Sequence, residues 1–261
     1  MQQKIVLIGA GNMGYHLGNQ LYKCNAGLCQ IYSRTREKAR RLSEQTENIP
    51  YVTSLEDIRN DADLYIVAVK DDAIIEVAAQ LEVLGASGKL IVHTSGVTSS
   101  DVFAPWFSRY GAFYPFQSFS IDRKLSFSEI PICYYANNEQ DTLFLKSIGE
   151  QLNCKTYPIN DRERAILHVN GVFVNNFTNY LYQISWDITE KEGIPFELLR
   201  PLILETAQKV MDHPPGPMQT GPAIRGDKKS MHFHLDYLKQ WPDYKKVYEV
   251  LSEGISKTKN I

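Results

Sequence analysis

The stretch Lys4-Ile5-Val6-Leu7-Ile8-Gly9-Ala10-Gly11-Asn12-Met13-Gly14 decides the fold. Ile5 to Ile8 is an unbroken apolar run, as expected of a strand buried on both faces; a half-exposed strand would alternate. G-x-G-x-x-G follows at once, and the apolar periodicity through Leu21 then reads as a helix. In such a strand–turn–helix each glycine has a separate task. Gly9 permits the tight turn, Gly11 lets a diphosphate approach the backbone, and Gly14 lets helix and sheet pack closely. The helix start directs free N–H groups and a positive dipole end at the phosphates. A glycine-rich turn alone would be weak evidence; the strand, the helix and a second strand in register select dinucleotide binding. Gly9, Gly11, Asn12, Met13 and Gly14 are therefore expected to contact the cofactor.

Outward from this turn the pattern repeats. Strands are predicted at Leu28–Tyr32, Tyr51–Val52, Asp63–Val69 and Lys89–His93, with a charged helix from about Glu37 to Gln45. Gly111–Tyr114, Ile130–Tyr135 and Lys155–Pro158 read as further strands. Apolar strands alternating with helices imply a doubly wound, mostly parallel sheet. After Asn160 the character changes. A helical pattern runs from Asp161 to about Glu192, Pro195 opens another helix, and His213–Pro222 is a loop. Two more helices are expected from Asp227 and Pro242. The expected domains are a cofactor domain, 1–157, and a helical substrate and dimerisation domain, 158–261.

The end of the second strand selects the dinucleotide. An NAD site usually places Asp or Glu there for the ribose hydroxyls. This chain has Ser33, Arg34 and Thr35, which would hold a 2′-phosphate by charge-assisted hydrogen bonds. NADP is the expected cofactor, although Ser33 or Thr35 could also cap the following helix. Val69, Lys70 and Ser95 lie at later strand ends and should complete the cofactor wall. Asp71 or Asp72 is expected to cap the next helix, and His93 to face the nicotinamide.

Of the 261 residues, 43% are hydrophobic and 22% charged, with a formal net charge of -2, which argues against nucleic acid as a partner. Four cysteines without a Cys-x-x-Cys pair indicate neither zinc nor a redox motif. His232 and His234, two apart on a helix, point to different faces and predict no metal. No segment approaches membrane-spanning length, and the chain is expected to be cytoplasmic.

KIVLIGAGNMG, SRTREKARRL and AVKDD resemble the N-terminal halves of pyrroline-5-carboxylate reductases and deazaflavin-dependent NADP reductases. A resemblance over the whole chain rests on His93-Thr94-Ser95-Gly96, Tyr114-Pro115-Phe116-Gln117-Ser118-Phe119, His168 with Asn175 and Asn176, and the Thr220–Asp227 run TGPAIRGD. These pieces are similar to Rossmann-like NADP oxidoreductases with a helical C-terminal domain of unassigned function. The resemblance implies a Rossmann domain followed by an all-α domain of the 6-phosphogluconate dehydrogenase C-terminal type, which often builds a dimer. Tyr114 departs from the His-Pro pair that this family implies.

The long helix carries Arg164, His168, Asn175 and Asn179 at spacings that place them along one α-helical face. His168 could give a proton as hydride arrives, because imidazole titrates near neutrality. Asn175 or Asn176 could orient the substrate. The same stripe could instead face solvent or a second subunit. Arg225 could clamp a substrate carboxylate or pair with Asp227. The expected function is hydride transfer between NADP(H) and a small C=O or C=N substrate in a homodimer. The alternatives are a non-catalytic NADP-binding sensor or interaction protein and, on domain similarity alone, exchange with a deazaflavin.

Overall fold

The computed structural model describes residues 3–258. Eight strands form one sheet in the order β3-β2-β1-β4-β5-β6-β7-β8. They are β1 (Ile5–Ile8), β2 (Leu28–Tyr32), β3 (Tyr51–Val52), β4 (Leu64–Val67), β5 (Leu90–His93), β6 (Arg109–Pro115), β7 (Ile132–Ala136) and β8 (Thr156–Pro158). β7 runs antiparallel to β6, and the other pairs are parallel. The reversal of strand order beside β1 opens the crevice where such sheets take ligands, outside the carboxyl ends of the strands.

The sheet has a core on each face. Ile5, Leu7, Leu64, Ile66, Leu90 and Val92 point into one; Val6, Ile8, Tyr65, Val67 and Ile91 point into the other. This division is the two-residue strand period expressed as two apolar layers. Helices α1 (Asn12–Lys23), α2 (Arg36–Gln45), α3 (Ile74–Val83) and α4 (Glu139–Gln151) connect the strands. Leu17, Leu21 and Leu42 bring α1 and α2 into the first layer, while Ile74, Val77 and Leu81 bring α3 into the second.

The chain divides into two compact units, residues 1–175 and 176–261. Helix α5 (Asp161–Gly171) belongs to the first, and starts at a capping box. The Asn160 side chain accepts from Glu163 N–H at 3.0 Å, and Glu163 accepts from Asn160 N–H at 2.9 Å. The second unit contains α6 (Thr178–Lys191), α7 (Arg200–Asp212), α8 (Pro222–Arg225), α9 (Lys228–Tyr237) and α10 (Pro242–Thr258).

Three local expectations are corrected. The predicted continuous helix from Asp161 is interrupted by a π-helical segment, Val172–Phe177, whose wider turn changes the angular phase of every later residue. The α-helical face expected to unite His168 with Asn175 and Asn179 therefore does not persist. Asp71 and Asp72 lie inside a 3₁₀ turn whose preceding residue is Lys70, and no side chain caps that turn or α3. His93 does not face the cofactor crevice. It is completely buried, and its ring packs 5.6 Å from that of Phe103.

Candidate active site

The glycine turn fits a diphosphate by shape. Gly9 has φ +116°, and a Cβ there would lie 2.2 Å from the Ala68 carbonyl oxygen. A Cβ on Gly14 would lie 2.1 Å from the Gly9 oxygen, so both close approaches require glycine. Gly11 differs: among the described residues nothing lies within 4 Å of the position its Cβ would occupy. That open space adjoins the start of α1, where Gly11 is the cap residue and makes no side-chain capping bond. The first-turn N–H groups have no intrahelical acceptors, and no acidic residue occupies that turn to repel an anion. The Asn12 side chain donates to Phe119 O at 3.1 Å, and His16 Nε2 lies 2.9 Å from Ser120 O, tying residues 119–120 to the same helix. Met13 packs against the first core layer.

The adenosine side of the crevice carries positive charge. Ser33 is buried and its Oγ accepts from Thr35 N–H at 3.3 Å. Thr35 stands at the cap position of α2 without a side-chain capping bond. Arg34 is exposed and, among the described residues, has no ion pair. A free guanidinium beside a free hydroxyl suits the 2′-phosphate that distinguishes NADP.

At the ends of β4 and β5 the wall is largely backbone. Val69 is half-buried and Lys70 exposed. Ser95 spends its hydroxyl on its own turn: it accepts from Val97 and Thr98 N–H at 3.2 and 3.0 Å and donates to Thr98 Oγ1 at 2.9 Å. His93 Nδ1 accepts from Ser95 N–H at 3.2 Å. Burial, with a smaller contribution from Arg164, lowers the His93 pKa to about 4. It is consequently neutral at physiological pH and serves the turn.

His168 joins this edge from α5. Its Nδ1 lies 3.1 Å from the Tyr114 hydroxyl at the end of β6. The ring also rests against Gly96, where an added Cβ would fall 2.3 Å from Nδ1. Gly171, almost one turn later, leaves room for Phe116 in the same way, at 2.9 Å. The first turn of α5 is clasped to the loop after β5. Asp161 accepts from Ser99 Oγ at 2.7 Å, Ser100 N–H at 2.5 Å and Ser100 Oγ at 2.9 Å. Arg164, 1% exposed, bonds Asp161 at 2.7 Å and the Thr98 carbonyl. These donors hold the Asp161 carboxyl below its ordinary value against the opposing effect of burial.

The structure thus brings Gly9, Gly11, Asn12, Met13, Gly14, Ser33, Arg34, Thr35, Val69, Lys70 and Ser95 to one sheet edge, with His168 beside them. Asn175 lies in the π-helical segment; Asn176 and Arg225 belong to the second unit. Asp227 caps α9 by accepting from Ser230 N–H at 3.1 Å, and among the described residues Arg225 has no ion pair with it. Sequence reasoning missed the contact between Tyr114 and His168 because it joins residues 54 apart and depends on strand order. Its only advance signal was the tyrosine itself, standing where a histidine was expected. In the second unit, His234 Nδ1 lies 2.9 Å from Tyr248 Oη in the wall of an apolar recess lined by Leu181, Ile188 and Leu251. Among the described residues no cluster of His, Cys, Asp or Glu is placed to hold a metal ion.

Residues 4–96 match the family described as "NADP oxidoreductase coenzyme F420-dependent", and residues 130–255 match "Domain of unknown function (DUF2520)". No curated protein matches the chain. Two solved structures show the fold at low identity. An imine reductase from Myxococcus stipitatus in complex with NADP+ is 16% identical, with TM-score 0.70, over 97% of this chain and 93% of that one. A Plasmodium falciparum pyrroline carboxylate reductase with NADP bound is 17% identical, with TM-score 0.62, over 99% of both. A Bacteroides fragilis protein described as a "putative NADP oxidoreductase" matches far more closely: 39% identity and TM-score 0.90 over 98% of both chains. At that identity over both full lengths, this chain belongs to the same NADP oxidoreductase family as the Bacteroides fragilis protein, with an N-terminal Rossmann domain and a helical C-terminal region.

Proposed function

We propose that the chain reduces a small C=O or C=N compound with NADPH, and that His168 donates the proton. The observation that carries this reading is the placement of His168. It is half-buried, seated against Gly96 at the carboxyl end of β5 and on the same sheet edge as the glycine turn. NADPH, when bound, supplies hydride to the carbon of the C=O or C=N bond. The amides at the start of α1 bind its diphosphate, and Ser33, Arg34 and Thr35 bind the 2′-phosphate. Val69, Lys70 and Ser95 line the middle of the cofactor path. His168 holds the proton that the substrate oxygen or nitrogen needs as its carbon is reduced. Asn175 is proposed to orient the substrate.

We place the functional boundary at 157/158, at the end of the last strand of the sheet. The region beyond it would complete a homodimer. In the second unit only Thr189, Ala223, Leu238 and Ser252 among the described residues are buried, whereas Leu198, Leu202, Met211, Phe233 and Val250 are 63 to 83% exposed. So much apolar surface favours a second copy as its cover. A sedimentation mass of one chain would refute the dimer. A cytoplasmic site is supported by four free cysteines, which suit a reducing compartment. Among the described residues no helix is long and apolar enough to cross a membrane.

The test is calorimetry with NADPH and NADH, followed by substrate-dependent loss of reduced-nicotinamide absorbance across keto acids and cyclic imines. Turnover of one member that disappears in His168→Gln supports the proposal. NADPH binding without turnover anywhere in the panel would favour a cofactor sensor instead.

A further inference from the structure

We infer that Tyr114 is a positioning residue for His168: its hydroxyl engages Nδ1 and leaves Nε2 as the nitrogen that serves the substrate. The inference rests on the reading of His168 as proton donor and supplies what that reading lacks, a reason for one ring nitrogen to act rather than the other.

Three observations support it. The first is the contact itself, with Nδ1 3.1 Å from Tyr114 Oη. The second is the confinement of the imidazole. Gly96 approaches so closely that a single added carbon would meet Nδ1 at 2.3 Å and Cγ at 2.7 Å. The Gly96 backbone and the tyrosine thus both crowd the Nδ1 edge of the ring, and a flip about its last torsion would carry Nδ1 away from its partner. The third is the rigidity of the support. Tyr114 pairs with Cys133 across the antiparallel β6–β7 ladder, and its ring packs 5.9 Å from that of Phe116. Phe116 in turn fills the space opposite Gly171 on the helix that carries His168.

The chemistry fits both protonation states. Burial pushes the Tyr114 pKa up to about 12, so the phenol keeps its proton wherever imidazole titrates. A neutral hydroxyl both donates and accepts. It can donate to Nδ1 of neutral imidazole or accept from Nδ1–H of imidazolium, and the contact survives the proton transfer. In the reductive direction the substrate carbon receives the hydride and the substrate oxygen or nitrogen receives the Nε2 proton. The N–H bond at Nε2 breaks as the new O–H or N–H bond forms. Neutral His168 remains, its Nδ1–H held by Tyr114, and Nε2 regains a proton from solvent.

The experiment compares Tyr114→Phe and His168→Gln with the full-length parent. In protein labelled with 15N at histidine, His168→Gln assigns the ring signals of His168 with no substrate present. Tyr114→Phe is expected to move the Nδ1 resonance well outside the scatter of the other histidines. With a keto acid or cyclic imine turned over by the parent, it should lower kcat about tenfold, the effect of one lost hydrogen bond. KM for NADPH should be unchanged. An unmoved Nδ1 resonance, or unaltered kcat in Tyr114→Phe while His168→Gln is inactive, would overturn the inference and leave His168 as the donor. Full activity in His168→Gln would instead remove the donor reading, and the role given to Tyr114 with it.

Discussion

Replacing Gly96 by alanine tests the geometry of the proposed centre with one carbon atom. Gly96 does not have a positive φ, so alanine suits its backbone and the substitution acts only through the space its methyl occupies. That methyl would lie 2.3 Å from Nδ1, 2.7 Å from Cγ and 3.1 Å from Cβ of His168. Ordinary contact begins near 3.4 Å, so Nδ1 must retreat by 3.4 − 2.3, or about 1.1 Å. The Cβ contact prevents relief by ring rotation alone. Misplacement of a reacting group by about 1 Å can cost about a hundredfold in rate. We expect kcat to fall by about that factor, with a stability loss of about 1–3 kcal/mol from overpacking. The Kd for NADPH should not change, because the glycine turn at the start of α1 is untouched. The assay is steady-state kinetics on whichever substrate the panel identifies, with calorimetry of NADPH and urea unfolding alongside. A double-mutant cycle sharpens it: with His168→Gln in place, Gly96→Ala should add little further loss of rate. Wild-type kcat in Gly96→Ala, or a loss of equal size in both backgrounds, would refute the reasoning.

Gly11→Ala should fold with a Tm within a degree or two of the parent yet bind NADPH at least tenfold more weakly, since its methyl enters space that only the ligand would use; unchanged affinity by calorimetry would count against the cradle. Arg34→Ala should erode the preference for NADPH over NADH by roughly tenfold to a hundredfold, and equal losses for both cofactors would remove Arg34 from phosphate recognition. His93 binds its proton less readily when folded, with a pKa lowered from 6.5 to about 4, so the unfolded chain takes up the proton first. Stability should therefore fall as pH drops through that window, by about 3 kcal/mol in all, and His93→Asn should flatten this part of a urea-denaturation profile. Arg164→Met leaves Asp161 without its buried cation and should cost about 3–5 kcal/mol; a loss below about 1 kcal/mol would show that the clasp is dispensable.

The parallel sheet was legible because burial on both faces leaves a plain sequence trace. Ile5–Ile8, Leu64–Val67 and Leu90–His93 are buried at every position. The glycine turn was legible because Gly9 and Gly14 meet backbone atoms that no side chain could accommodate. Other features leave no such trace. Val172 to Phe177 has no residue type that separates an i→i+5 ladder from an i→i+4 one, so its π-helical turn could not be read in advance. The direction of His93 depends on which face a strand's last residue meets, and that parity is set by its pairing with Val67. Asp71 and Asp72 looked like caps because carboxylates favour helix starts, but the intervening 3₁₀ turn moves the start of α3 to Ile74.

The two histidines at this edge of the sheet show how environment, more than residue type, assigns chemistry. His93 has the better sequence position, at the end of a central strand, yet complete burial keeps it neutral and its Nδ1 is committed to the Ser95 amide. A base whose charged form is suppressed that far cannot lend a proton near neutrality. His168 arrives from a helix and keeps partial access to solvent. What it needs is a fixed place, and the chain provides this with a partly buried ion pair. Arg164 and Asp161 lie at the foot of α5, where Asp161 accepts from Ser99, Ser100 and Arg164, and Arg164 also donates to the Thr98 carbonyl, its buried Nε alone finding no partner among the described residues. His168 follows one helical turn beyond Arg164, near enough to inherit that rigidity. The neutral Tyr114 is its direct partner, so the anchoring ion pair and the ring that would carry the proton remain separate parts of the fold.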